Sequence, residues 1–179
     1  FIADSGITSR RKAEELILQG RVTVNNKTIT QLAFNVNTEN DKVTVDGEKI
    51  KPAEHVYYLL NKPRGVVTTT DDEKKRMTVT DIIKSKQKIF PIGRLDFNTT
   101  GVLILTNDGD FAQKLIHPKN NIIREYEVKL DKDLEAEHEA ALLKGVFIDG
   151  TRSKFIAVKY GKKKDRKNIT VLCTEGRNH

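Results

Sequence analysis

Gly93-Arg94-Leu95-Asp96-Phe97-Asn98-Thr99-Thr100-Gly101, running into Val102-Leu103-Ile104-Leu105, is the stretch on which the reading of this chain turns. Small polar residues closed by Gly ahead of an apolar run mark a tight loop that enters a strand. Such a loop presents its one carboxylate, Asp96, in a fixed direction, and loops held by a rigid scaffold are where reacting groups usually sit. The plainer alternative is an Asx-turn, in which the Asp96 side chain accepts from backbone N–H groups of the next residues. Arg94, two residues earlier, could pair with the acid or with a phosphate.

Working outward, residues 89–92 lead into the loop and residues 102–106 leave it as strands. Residues 56–60 read as a buried strand ending in Asn61-Lys62-Pro63-Arg64-Gly65, where Pro63 stops the strand and Gly65 permits a turn or a close backbone approach. Residues 78–84 form a short helix. Asn107-Asp108-Gly109 is a turn, and Phe111, Leu115 and Ile116 then share one helical face ahead of Pro118. Residues 122–130 alternate as a strand, 134–143 are amphipathic and helical, and 155–160 and 168–174 are further strands. Short strands with a few packed helices make an α+β sheet domain.

The first 48 residues differ in texture, with short elements joined by Asn-rich turns. Residues 49–55, containing Pro52, read as a linker to a denser apolar domain over 56–179. Thr8 or Ser9 can cap a helix running to about Gln19, stopped by Gly20. Arg10, Arg11 and Lys12 fill its first turn, where the macrodipole disfavours each cation by up to about 1 kcal/mol. Either this is a solvated face, with Glu14 and Glu15 offsetting the charge, or it is a phosphate site of free N–H groups and cations. Arg21 and Lys27 follow on a hairpin that turns at Asn25-Asn26.

Composition agrees with an anionic partner. Lys and Arg number 32 against 25 Asp and Glu, a net charge of +7, which favours nucleic acid and says little about fold. Residues 1–50 hold seven basic and seven acidic residues, so the whole excess lies beyond them. No apolar run is long enough to span a bilayer as a helix. The one cysteine, Cys173, excludes an internal disulfide and a Cys-rich metal site, and reads as a buried strand residue. The four histidines show no ligand spacing. A soluble, cytoplasmic protein without metal is expected.

Two resemblances follow from these motifs. Ser5-Gly6-Ile7-Thr8-Ser9-Arg10-Arg11-Lys12-Ala13-Glu14-Glu15-Leu16-Ile17 with Gly20-Arg21-Val22-Thr23-Val24-Asn25 resembles the small RNA-binding domain of the ribosomal-protein S-four type. Lys62-Pro63-Arg64-Gly65-Val66, the loop from Gly93 to Gly101 with Leu103, Thr106 and Asp108-Gly109, and Arg124-Glu125-Tyr126 resemble three motifs of the pseudouridine synthases of the RsuA/RluB family. Glu175-Gly176-Arg177-Asn178-His179 looks like the start of a fourth. The resemblance implies a small RNA-binding domain followed by a mixed, mainly antiparallel sheet with flanking helices. It also implies that both domains are incomplete here, at the N-terminus of the first and the C-terminus of the second.

The chemistry so implied is cofactor-free isomerisation of uridine to pseudouridine in ribosomal RNA, large-subunit (23S) RNA being favoured. Asp96 would be the nucleophile or the base that starts glycal formation. Arg177 would keep the carboxylate ionised. Tyr126 would stack on the target base and serve a proton transfer, against the alternative of a strand tyrosine facing the core. Arg94 would fill the space left by the flipped uridine or hold a phosphate, against the alternative of a surface salt bridge. Lys62 and Arg64 are phosphate contacts on this reading, or a solvated turn. Ser9, Arg10, Arg11, Lys12 and Arg21 would bind RNA in the small domain. Lys162-Lys163-Lys164 reads as a hairpin tip. A bacterial monomer needing no protein partner is expected. The competing functions are a non-catalytic RNA-binding or ribosome-assembly factor, and a carbohydrate-active enzyme using paired acids. The last lacks a second carboxylate in a similar loop, since Asp108 and Asp110 occupy a turn of their own.

Overall fold

The computed structural model describes residues 1–148, 150–161 and 165–174. The chain forms two compact units, Phe1–Ala112 and Gln113–His179.

In the first unit, α1 (Arg10–Leu18) starts at Ser9, whose side chain accepts from Lys12 N at 3.4 Å. It ends at Gln19, and Gly20 takes the left-handed conformation (φ 70°) that a residue with a Cβ resists. β1 (Val22–Val24) and β2 (Lys27–Ile29) pair antiparallel. Their turn residues Asn25 and Asn26 both have positive φ, as a two-residue hairpin loop of matching twist requires. β3 (Val43–Val45) pairs on the other side of β1, and β4 (Glu48–Lys49) on β3, giving the order β2-β1-β3-β4. Val22, Val24, Val43 and Val45 are buried with Ile2, Ala13 and Ile50 in one apolar cluster. Ile50, read as part of the linker, thus packs with the small sheet, and its N–H bonds Val43 O at 3.0 Å.

The same unit continues with β5 (Tyr57–Lys62), α2 (Val79–Ile82), β6 (Phe90–Ile92), β7 (Gly101–Thr106) and the start of α3 (Gly109–Ile116). The sheet order is β5-β7-β6, all antiparallel. Because side chains alternate across a strand, Tyr58, Leu60, Leu103 and Leu105 pack with Val66, Val79 and Ile89. Leu59 and Val102 are 74% and 67% exposed. The strand expected to be buried is therefore buried on one face only, since an antiparallel ribbon here covers one side.

The far end of β7 is tied down by side chains. Thr106 Oγ1 donates to Val56 O, Asn107 Oδ1 accepts from Val56 N, and Asn107 Nδ2 donates to Glu54 O. Asp108 caps α3, accepting from Phe111 N at 2.8 Å and from the Tyr57 hydroxyl at 2.6 Å. The Phe111 N–H and then the Tyr57 hydroxyl hold the Asp108 carboxyl below the usual carboxylate range. Asp108 is thus a structural acid.

The second unit holds a short 3-10 turn (Pro118–Asn120), β8 (Arg124–Lys129), α4 (Ala136–Lys144), β9 (Val146–Ile148), β10 (Thr151–Ser153), β11 (Ala157–Tyr160) and β12 (Asn168–Cys173). β12 lies between β11 and β8, antiparallel to both, and β9 pairs with β10 in a separate two-stranded sheet. Leu134, Ile169 and Val171 are its buried centre, with Val128, Leu142 and Val158 packed around them. Cys173 is buried in β12, as the alternating run implies. The hairpins β3–β4 and β9–β10 were not anticipated, although each carries an Asp-Gly pair directly after a short β-branched or aromatic run. Lys162-Lys163-Lys164 and the motif at residues 175–179, Arg177 included, lie outside the described residues.

Candidate active site

The Asp96 loop is organised from beneath by a lysine. β5 places Lys62 on the same face as Tyr58 and Leu60, so its stem follows the apolar side, opposite Gly101, which has no side chain to block it. Lys62 is fully buried. Its Nζ donates to Asp96 O and Thr99 O at 2.9 Å each, to Pro63 O at 3.1 Å and to Phe97 O at 3.3 Å. Four carbonyl dipoles converge on the ammonium and offset the cost of its burial. Lys62 is thus no phosphate contact: an RNA cannot reach a side chain with no exposed surface.

Two further ties fix the same loop. Gly65 N donates to Phe97 O at 2.9 Å, from a positive φ of 75° that makes glycine the fitting residue there. Thr68 Oγ1 donates to Leu95 O at 2.5 Å and accepts from Leu95 N at 3.3 Å. Asp96 O also accepts from Thr99 N at 3.0 Å, closing a four-residue turn. The loop carbonyls of Leu95, Asp96, Phe97 and Thr99 are all satisfied from inside, so the peptide planes around Asp96 are set.

The Asp96 side chain is left exposed, and it makes no hydrogen bond or ion pair with the described residues. The turn is closed by its backbone carbonyl, so the Asx-turn alternative does not apply. A carboxylate held by a pinned backbone yet uncommitted itself is what a nucleophile or base requires. Arg94 and Arg64 are likewise exposed, and neither is paired among the described residues.

Comparison with known proteins decides between the functional classes. Residues 56–179 match the family described as RNA pseudouridylate synthase, and residues 1–42 match the S4 domain. The chain belongs to the RNA pseudouridylate synthase family. It is 44% identical over 181 residues to the ribosomal large subunit pseudouridine synthase B of Bacillus subtilis (strain 168), covering 99% of this chain and 74% of that protein. It is 35% identical to an uncharacterized RNA pseudouridine synthase of Aquifex aeolicus (strain VF5), covering 100% and 74% of the two chains. A solved crystal structure of a pseudouridylate synthase superposes with a TM-score of 0.59 at 28% identity, over 100% of this chain and 77% of that one.

Within this pseudouridylate synthase the remaining site residues are placed as follows. Arg10, Arg11 and Lys12 form the exposed first turn of the S4-domain helix α1, and the Ser9 hydroxyl caps it. Arg21 is committed to Asp46, donating through Nε at 2.7 Å and Nη2 at 2.6 Å. That hydrogen bond holds the Asp46 carboxyl below its ordinary range. The Arg21 charge is thus balanced locally, whereas Arg10 and Arg11 make no side-chain pair among the described residues. Tyr126 lies in the second unit on β8, opposite Val171 and 46% exposed. Its ring is therefore not enclosed in the core. Sequence reasoning missed Thr68, whose contact partner lies 27 residues away and leaves no local pattern.

Proposed function

We propose that this chain isomerises one uridine of ribosomal RNA to pseudouridine, with Asp96 as the reacting group and no cofactor. Large-subunit RNA is the favoured substrate, in line with the name of the Bacillus relative. The carrying observation is the exposed Asp96 carboxylate, unpaired among the described residues, on a loop whose backbone is clamped by Lys62, Gly65 and Thr68. In the reaction the N1–C1′ bond breaks, the uracil turns, and C5 bonds to C1′. C5 gives up its proton and N1 gains one, so nothing is added or lost. Asp96 attacks as a nucleophile or removes the proton that starts glycal formation. By family resemblance, Tyr126 would stack on the base and assist proton transfer, Arg177 would supply a cation for the reaction, and Arg94 would occupy the space the uridine leaves.

Residues 1–48 would grip RNA, 49–55 link, and 56–179 carry the chemistry, in a cytoplasmic monomer. Among the described residues no helix is long and apolar enough to cross a membrane. Arg10→Ala with Arg11→Ala should weaken RNA binding and reduce the slope of log K against log salt by about 1 to 2, the share of two phosphate contacts. Filter binding across a salt series checks this; an unchanged slope removes the phosphate site.

The function itself is tested by incubating the chain with transcripts of large-subunit RNA, small-subunit RNA and tRNA and mapping product by carbodiimide. One modified uridine in the large-subunit transcript is expected. Binding without product on any transcript would instead establish the non-catalytic factor.

A further inference from the structure

The residue after Asp96 is an aromatic ring that the fold both fixes and leaves open. Phe97 is 43% exposed. Its carbonyl is held by Lys62 Nζ and Gly65 N, and a Cβ at Gly65 would lie 4.0 Å from the tip of the ring. Above it sits a cation that is equally fixed. Residues 71–77 turn back on themselves, with Lys75 N donating to Asp72 O at 2.9 Å. The Asp72 carboxylate, 8% exposed, accepts from Arg76 N at 3.0 Å, Nε at 3.1 Å and Nη2 at 2.7 Å. The Arg76 guanidinium, so restrained, lies 5.9 Å from the centre of the Phe97 ring, on a side chain that is 44% exposed. The Arg76 side chain, then its N–H, holds the Asp72 carboxyl at about 2, so the restraint persists wherever RNA is handled.

We propose that Phe97, with Arg76 as its positioning residue, is a stacking platform for the nucleobase next to the target uridine. The proposal rests on the reading of Asp96 given above. Flipping a uridine out of its stack leaves the faces of its neighbours without partners. An aromatic face one residue from the reacting carboxylate, beside a guanidinium, supplies one for any base, because every base has a π-face. With the Arg76 charge already balanced by Asp72, the exposed ring beside the carboxylate fits a neutral base plane. A protein partner would want a wider apolar patch.

The chain contains no tryptophan, so Phe97→Trp is a single-fluorophore reporter. Titrating it with the large-subunit transcript should quench its emission while KM stays within about threefold of wild type. Phe97→Leu should raise Kd and KM about tenfold to a hundredfold, the effect of losing one stack. Its kcat should fall less than about threefold and its Tm should hold. Arg76→Gln should show the same split, more weakly. Absence of quenching, or Phe97→Leu binding like wild type, overturns the platform even if pseudouridine is formed. Weakened binding by Phe97→Leu with no product from wild type supports the platform and sinks the catalytic reading instead. A Phe97→Leu chain that does not fold leaves the Trp titration to decide.

Discussion

Asp96→Asn is expected to slow pseudouridine formation at least about a thousandfold, about 4 kcal/mol of barrier, while RNA affinity stays within about twofold. The substitution replaces one side-chain oxygen by an NH2 group. The backbone carbonyl that meets Lys62 and Thr99 N is retained, so the loop keeps its turn. The side chain is exposed and bonds none of the described residues, so its amide leaves no partner orphaned and stability should not move. What disappears is the negative charge and the basicity, on which attack at C1′ or proton removal depends. Asp96→Glu is the geometric control. It keeps the charge but advances it by one methylene, and misplacement by about 1 Å costs about a hundredfold. Single-turnover kinetics on the transcript with filter binding on the same preparations separates the two quantities. An Asn variant that still turns over would assign the chemistry to another group.

The second large effect is at Lys62. Lys62→Met keeps the length and the apolar stem but removes the donor that serves four carbonyls. Buried acceptors left without partners cost about 1–3 kcal/mol each. Phe97 O retains Gly65 N and Asp96 O retains Thr99 N, and water can reach part of an exposed turn. The net loss of stability should be about 2–4 kcal/mol. Activity should fall at least about a hundredfold at temperatures where the variant remains folded, because the loop no longer aims Asp96. Lys62→Arg should not rescue, since a planar guanidinium cannot direct its donors to four carbonyls around one point. Thermal unfolding and single-turnover rates check both parts. A Met variant with wild-type stability and rate would remove Lys62 from the site.

Much of the architecture was legible locally, because turns announce themselves through residues with special backbone freedom. Asn25-Asn26, Pro63 and Gly65 mark chain reversals, and the helix in the small domain has its Ser9 start and Gly20 stop. Asp96 stood out for the same reason. Lys62 was misread because residue type pointed outward while strand parity pointed inward: Tyr58, Leu60 and Lys62 share one face, and the face decided. The Thr68 and Arg76 contacts to the loop join segments some twenty or more residues apart, and no periodicity encodes such a meeting. Arg21 was read as free to meet RNA because its partner Asp46 arrives from a hairpin that was itself overlooked. Tyr126 and Arg177 owe their roles to family resemblance alone.

The most direct test of Asp96-dependent RNA isomerisation is a pseudouridine map of ribosomal RNA from cells lacking the gene. It is compared with maps after restoring the wild-type gene or the Asp96→Asn form. One large-subunit uridine should lose its modification, regain it with wild type and stay unmodified with the Asn form. An unchanged map on deletion, or full restoration by Asp96→Asn, would contradict the proposed function and its mechanism.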